Sequence, residues 1–226
     1  EGTVSIGLFT IAIGITGFLL AYDVWRDEPA ELLRSGPPVQ AIVPAYRDAG
    51  VVEQSVTGLL ENEYDPLEIS IVVEPDDDRT RIRAEALASR YERVECLVND
   101  RPGSKATAIN CAVEHSSADH FVVFDADERA SPDFVATAMG ELLGAVDVFQ
   151  GRRIPRPTGA VETLAYCERV VVQTGYLVGE FVGFTHCQSS ATGFTREAFD
   201  AVGGYMDVLT EDIYFSHQVH QANLSA

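Results

Sequence analysis

Lysine is almost absent from this chain: Lys105 is the only one among 226 residues, and arginine supplies every other fixed positive charge. Acidic side chains outnumber basic ones 35 to 16, for a formal net charge of −19. A surface so negative repels phosphate backbones, which argues against nucleic acid as a partner. Plentiful Asp and Glu with next to no Lys is also the composition of a halophilic protein, because a short screening length makes the self-repulsion tolerable. The four cysteines, Cys96, Cys111, Cys167 and Cys187, show neither a Cys-x-x-Cys pair nor zinc-ligand spacing. Free thiols in a reducing compartment are the expectation. No Gly-x-x-x-x-Gly-Lys stretch makes a P-loop, and no Gly-x-Ser-x-Gly stretch makes a nucleophile elbow.

Charge is missing in one more place, from Gly2 to Tyr22. A run of about 20 uncharged, mostly apolar residues is long enough to cross a hydrocarbon core as a helix. A signal peptide is the rival reading, but the run lacks a basic leader and an Ala-x-Ala cleavage site. The expectation is a transmembrane helix over 2–22 and a juxtamembrane linker over 23–38, ending in Ser35-Gly36-Pro37-Pro38. Arg26 and Arg34 both follow the run, which favours a cytoplasmic side for the remainder of the chain at a cell membrane.

From residue 39 to 226 the pattern is that of one domain. Short apolar runs at 39–44, 69–73, 94–98 and 121–124 alternate with helical periodicity at 51–62, 79–90 and 105–115. That alternation predicts βαβ units, hence an α/β fold with a mostly parallel central sheet. Beyond Asp127 the pattern loosens into a helix at 132–143, a strand at 146–151 and a basic, Pro-rich loop at 152–157. A long apolar helix at 162–179 is read as buried or lying on a membrane surface, and a last helix spans 213–221.

The most informative motif is Asp125-Ala126-Asp127, which closes the apolar run Phe121-Val122-Val123-Phe124. Residues i and i+2 of an extended chain face the same way, so both carboxylates can converge on one point. Beyond the carboxyl ends of the strands lies the crevice where α/β sheets bind ligands. Oxygen ligands of this kind suit Mg²⁺ or Mn²⁺ shared with substrate phosphates; a plain turn is the alternative. Two more loops fall on the same edge, Pro44-Ala45-Tyr46-Arg47-Asp48 and Glu74-Pro75-Asp76-Asp77-Asp78-Arg79-Thr80. Their carboxylates either accept hydrogen bonds from a nucleoside or cap the helix that follows. Gly103-Ser104-Lys105 opens a helix with the lone ammonium beside free N–H groups, an arrangement suited to phosphate oxygens. Thr210-Glu211-Asp212 precedes the last helix, as its cap or as a general base.

Taken together, Ala41-Ile42-Val43-Pro44-Ala45-Tyr46, the acidic second loop, Gly103 to Asn110, Phe124-Asp125-Ala126-Asp127 and Val202-Gly203-Gly204-Tyr205 leading to Leu209-Thr210-Glu211-Asp212 resemble the family 2 glycosyltransferases over about residues 39–221. That family includes cellulose- and hyaluronan-synthase-like enzymes with a GT-A fold. The resemblance implies an inverting hexosyltransferase that uses a nucleotide-diphosphate sugar, UDP- or GDP-linked, and a glycan or lipid-linked acceptor. It implies that Pro44, Tyr46, Glu74, Asp78, Lys105 and Asp125 bind the donor, that Asp125 and Asp127 hold Mg²⁺ or Mn²⁺, and that Asp212 deprotonates the acceptor hydroxyl. One departure is the absence of a Gln-x-x-Arg-Trp motif after Asp212, from which a C-terminally incomplete enzyme is expected. A non-catalytic, membrane-anchored sugar-nucleotide-binding subunit is an alternative. So is a nucleotidyltransferase, although Pro44 to Gly50 supplies only Arg47 for a triphosphate.

Overall fold

The apolar run at 39–44 does form a strand, and it lies at the centre of the sheet. In the computed structural model, which describes residues 7, 10, 11, 13–15, 17–19, 21, 22, 25, 31–144, 146–153, 158–181 and 184–226, this strand is β1, Ser35–Ala45. It is followed by α1 (Val52–Leu60), β2 (Asp65–Val73), α2 (Asp78–Arg90), β3 (Val94–Val98), α3 (Lys105–His115) and β4 (His120–Val123). Then come α4 (Phe134–Leu142), β5 (Val148–Gln150), α5 (Ala160–Phe181), β6 (Thr192–Thr195), α6 (Arg196–Val202) and α7 (Glu211–Gln221). The chain divides into two compact units, residues 30–152 with 186–226, and residues 1–29 with 153–185.

The first unit contains the sheet, ordered β3-β2-β1-β4-β6-β5. β1 pairs in parallel with β2 and with β4, and β2 in parallel with β3. β6 runs antiparallel to both β4 and β5. The sheet is therefore mixed, which corrects the mostly parallel sheet expected from the alternation. The antiparallel strand was hidden because Thr192 and Phe194 are buried and Gly193 lies between them, so no apolar alternation marks it. A Cβ at Gly193 would come within 3.2 Å of Leu142 Cδ1, so that side chain would have to give by a few tenths of an ångström.

Alternate residues of β1 and β2 feed two cores. Val39, Ala41 and Val43 of β1 pack with Ile69 and Ile71 of β2 against Val52, Val56 and Leu59 of α1 and Met139 of α4. On the opposite face Ile42, Val72, Phe121 and Val123 pack against Ile109 and Val113 of α3, Phe199 of α6 and Phe215 of α7. Phe194 is fully buried and touches the rings of Phe121, Phe199, Tyr205 and Phe215, at 5.5–6.1 Å between centroids. Burying one such side chain contributes roughly 1.5–3 kcal/mol. The chain runs β1 to β2 to β3 in one direction and then returns to place β4 on the other side of β1. That reversal opens a crevice beyond the carboxyl ends of β1 and β4.

The second unit includes α5. Its residues 160–168 are all exposed, so the first half of the expected apolar helix is not buried. Among the described residues no helix is long and apolar enough to cross a membrane. The expected span over 2–22 is helical at residues 7, 10, 11, 13–15, 17–19, 21 and 22, and its other positions lie outside the described residues.

Candidate functional site

The loop after β1 is shaped by carboxylates. Tyr46 N–H donates to Asp48 Oδ2 at 3.0 Å, and Arg47 N–H to Asp77 Oδ2 at 2.5 Å. Asp48 N–H in turn reaches Thr80 Oγ1 at 3.0 Å, joining this loop to the start of α2. Arg47 sits at φ +62°, a left-handed conformation that costs a non-glycine residue about 1–3 kcal/mol and persists where surrounding bonds impose it. Its guanidinium lies 4.9 Å from the centroid of the Tyr46 ring, which is half-exposed at the crevice mouth. Pro44 is the penultimate residue of β1, opposite Val72.

Asp48 gathers the acidic motifs at one point. Burial pushes its carboxyl above the ordinary value; the Tyr46 N–H pulls it back, and the charges of Asp127, Asp125 and Asp77 push it up again. The crevice thus holds carboxylates from three loops, after β1, β2 and β4. Asp77 is the α2 N-cap and accepts from Thr80 N–H. Desolvation acts to raise its carboxyl, but the Thr80 hydroxyl, the backbone N–H groups of Arg47 and Thr80, and the Arg47 charge together lower it. Asp78, one residue on, is mostly exposed and pairs with Arg81. The structure therefore brings Asp77 into the acidic group, while Asp78 faces its own helix.

Glu74 follows β2 with both oxygens engaged, by Asn99 Nδ2 at 2.8 Å and by Gly103 N–H at 3.1 Å. Buried Asn99 also donates to Thr107 Oγ1, fastening the loop after β3 to the first turn of α3. Ser104 caps that helix in a reciprocal capping box with Thr107. The cap presents Lys105, whose ammonium pairs with Asp125 Oδ1.

Asp125 is fixed from the other side as well. Its N–H donates to Ser190 Oγ at 2.9 Å, and that hydroxyl donates to Glu128 Oε2 at 2.5 Å. The Ser190 segment is held by Gln150: Nε2 donates to the carbonyls of Ser190 and Ala191, and Oε1 accepts from Gln188 N–H and Thr192 Oγ1. Asp127 carries its backbone oxygen to Gln54 Nε2 at 2.7 Å, and its carboxylate forms no ion pair among the described residues. Among those residues no group of three His, Cys, Asp or Glu side chains stands ready to enclose a metal. Two all-oxygen donors from Asp125 and Asp127 nevertheless fit a hard divalent cation, which is commonly held by one or two carboxylates plus substrate phosphates.

Asp212 lies in the first turn of α7, where the helix dipole favours negative charge. Its Oδ1 accepts from Ile213 N–H at 2.8 Å, and its Oδ2 lies 4.0 Å from His186 Nε2. Burial lowers the His186 imidazole, and the charge of Asp212 works against that. The turn before α7 depends on Gly203 and Gly204, at φ +81° and +77°. A Cβ on Gly204 would stand 3.0 Å from Phe199 Cζ and 3.1 Å from Asn110 Oδ1. Asn110 reads this turn with its amide: Nδ2 donates to Tyr205 O at 2.8 Å, and Oδ1 accepts from Tyr205 N–H at 2.9 Å. Tyr205 stacks on Phe215 with ring centroids 4.2 Å apart. Asp48 and Asp77 lie in the two acidic loops and Asn110 in the stretch opened by Gly103, whereas Asn99, His186 and Ser190 fall outside every motif read from the sequence. Each acts through a partner distant in sequence; the side-chain type alone carries no sign of it.

The profile of Glycosyl transferase family 2 matches residues 40–203, well over half of the chain. The chain is 28% identical over 209 residues to the probable glycosyltransferase YdaM of Bacillus subtilis, covering 87% of this chain and 49% of that protein. It is 26% identical over 201 residues to the Cellulose synthase 1 catalytic subunit [UDP-forming] of Komagataeibacter xylinus, covering 79% of this chain and 25% of that one. Among solved structures, the mannosyltransferase PcManGT from Pyrobaculum calidifontis, in complex with GDP-Man and Mn²⁺, superposes with a TM-score of 0.69 at 21% identity. That likeness covers 97% of this chain and 63% of the other, and it shows the fold to be GT-A-like. The chain spans about half the length of its Bacillus relative.

Proposed function

The chain belongs to glycosyl transferase family 2, and from that premise we propose that it transfers a sugar from a nucleotide-diphosphate donor to a hydroxyl acceptor, with inversion at the anomeric carbon. The observation that carries the reading is the segment from His186 to Ser190. One end lies against Asp212 and the other holds the backbone of Asp125, so a single stretch of chain joins these two carboxylate-bearing positions. In this reading Tyr46, Asp48 and Asp77 face the nucleoside, and Glu74 holds the loop that presents Lys105. Asp212 Oδ2, its companion oxygen fixed by Ile213 N–H, takes the proton from the acceptor hydroxyl as that oxygen attacks the anomeric carbon. The electron pair of the breaking glycosidic bond leaves on the diphosphate.

Asp125 and Asp127 would hold Mg²⁺ or Mn²⁺, which supplies Lewis-acid neutralisation of the leaving diphosphate. Lys105 lies beside Asp125, so a positive charge already borders the position the phosphates would take. The relatives support a UDP or GDP donor: the Komagataeibacter subunit is UDP-forming, and the Pyrobaculum enzyme is in complex with GDP-Man and Mn²⁺. We further propose a glycan or lipid-linked acceptor and attachment to the cell membrane through the uncharged run Gly2–Tyr22, with the domain on the cytoplasmic side.

Calorimetric titration of UDP, GDP and their sugar conjugates, with Mn²⁺ or with EDTA and in high salt, tests the donor site. Metal-dependent binding of one nucleotide is expected, with Asp127→Ala weakening it at least about tenfold. Asp212→Asn should leave that binding intact and lower transfer by about 10²–10⁴-fold. Failure of every nucleotide to bind the folded chain would sink the proposal.

A further inference from the structure

The Asp212 carboxylate is oriented by one neighbour and faced by another. Oδ1 is held by Ile213 N–H, which leaves Oδ2 turned toward His186 Nε2 at 4.0 Å. Both side chains are partly shielded, His186 at 14% and Asp212 at 29% of their full exposure. Their separation is set by a buried hydroxyl. Ser216, one turn along α7 from Asp212, accepts Cys187 N–H at 2.8 Å and shares its own proton between Cys187 O at 3.1 Å and Asp212 O at 2.7 Å. The backbone carrying His186 and the helix turn carrying Asp212 are thereby fixed to one atom.

We propose that His186 is a positioning residue for Asp212, and that protonation of its imidazole switches the base off. The inference rests on the reading of Asp212 as the base. With His186 neutral, Oδ2 faces an uncharged ring edge and is available to an acceptor hydroxyl. With His186 protonated, a cation stands 4.0 Å from that oxygen, pairs with it and reduces its proton affinity. Burial keeps the ring neutral at neutral pH by lowering its proton affinity. Among the described residues, Tyr205 interacts electrostatically with Asp212, Cys187 and Glu211. Cys187 is pushed by burial up to about 12, and burial raises the Tyr205 phenol as well, so both stay neutral across the working range. Glu211, in the same first turn as Asp212, is a second carboxylate and supplies no competing cation.

The test is the pH profile of transfer between about pH 5 and 8, the range in which histidine titrates, for the full chain and for His186→Gln. The expected result is an acid limb in the wild type that moves down by about one pH unit in the variant. The plateau rate should change less than about tenfold. A role confined to packing would lower the plateau and leave the limb in place, and that outcome overturns the proposal. A second measurement needs no turnover: the ring-proton NMR titration of His186 should shift to lower pH in Asp212→Asn, because a neighbouring negative charge has been removed. An unmoved His186 titration also overturns the proposal. Transfer that survives in Asp212→Asn would instead remove the base assignment, and this inference with it. Lost transfer in Asp212→Asn together with an unmoved limb in His186→Gln rejects the His186 role alone.

Discussion

The two sides of β4 are built differently. Toward β1, the crevice is made of loops whose backbone N–H groups donate to carboxylates: Tyr46 to Asp48, Arg47 to Asp77, Gly103 to Glu74. Toward β6, it is made of uncharged groups closed on one another: the Gln150 amide with Gln188, Ser190 and Thr192, the Asn110 amide with Tyr205, and the rings around Phe194. Mutually repelling carboxylates stabilise nothing unless a cation or donor hydroxyls join them, so the first side is organised for a ligand. Satisfied buried amides and stacked rings specify one arrangement without a ligand. The second side is therefore the frame that holds Asp212, and stability and binding should separate along β4.

Breaking the frame should have the largest effect on folding. Phe194→Ala removes a ring that touches four others and is expected to cost about 3–5 kcal/mol in urea unfolding. Asn110→Ala leaves the Tyr205 N–H and carbonyl without their partner and should cost about 1–3 kcal/mol. In transfer assays that variant should lose turnover more than donor affinity, since the turn it holds leads to Asp212. Asp48→Asn tests the opposite side. Removing one of the crowded charges should raise stability by less than about 1 kcal/mol, a gain that shrinks with added salt, while donor affinity falls. A loss of stability in this variant comparable with that of Phe194→Ala would break the distinction.

The smallest effect concerns pH. His120 and His186 are both lowered by burial, with Asp119 and Asp212 respectively working against it. Below the ordinary histidine value of about 6.5 the unfolded chain therefore binds more protons than the folded one. Stability should fall as pH drops through that value and level off below the folded ones. Asp48 has the opposite sign: its raised carboxyl contributes stability at acid pH that is lost as pH rises from 3.8 through the folded value. Thermal unfolding followed against pH should show a histidine-linked slope that flattens when His120 and His186 are both replaced by Gln.

Local pattern carries much of the parallel half. β3 and α3 have the boundaries that periodicity predicts, Val94–Val98 and Lys105–His115. In these elements an apolar face repeats within a few residues and a cap is written into Ser104. β1 begins earlier than its apolar run because Ser35 pairs with Asp65, which no local preference requires. β6 escapes notice for a related reason: a short strand buried between two neighbours needs no alternation, so Thr192–Thr195 carries no strand signal. In the site, Asp125, Asp127, Lys105 and Asp212 stand out by residue type and spacing. Asp77 joins the acidic group, because the N-cap places its carboxylate back toward Arg47, whereas Asp78, the first helical residue, turns to Arg81.

By itself the sequence determined which segments are strands and helices in the β1–β4 half, the acidic ends of those strands and the lone lysine that opens α3. These follow from side-chain period, capping and charge, which act over a few residues. Tertiary structure alone decided that β6 enters antiparallel beside β4, that Ser190 holds Asp125, and that His186 faces Asp212. Those pairings join residues far apart along the chain, and their partners are chosen by what the packed sheet brings within reach.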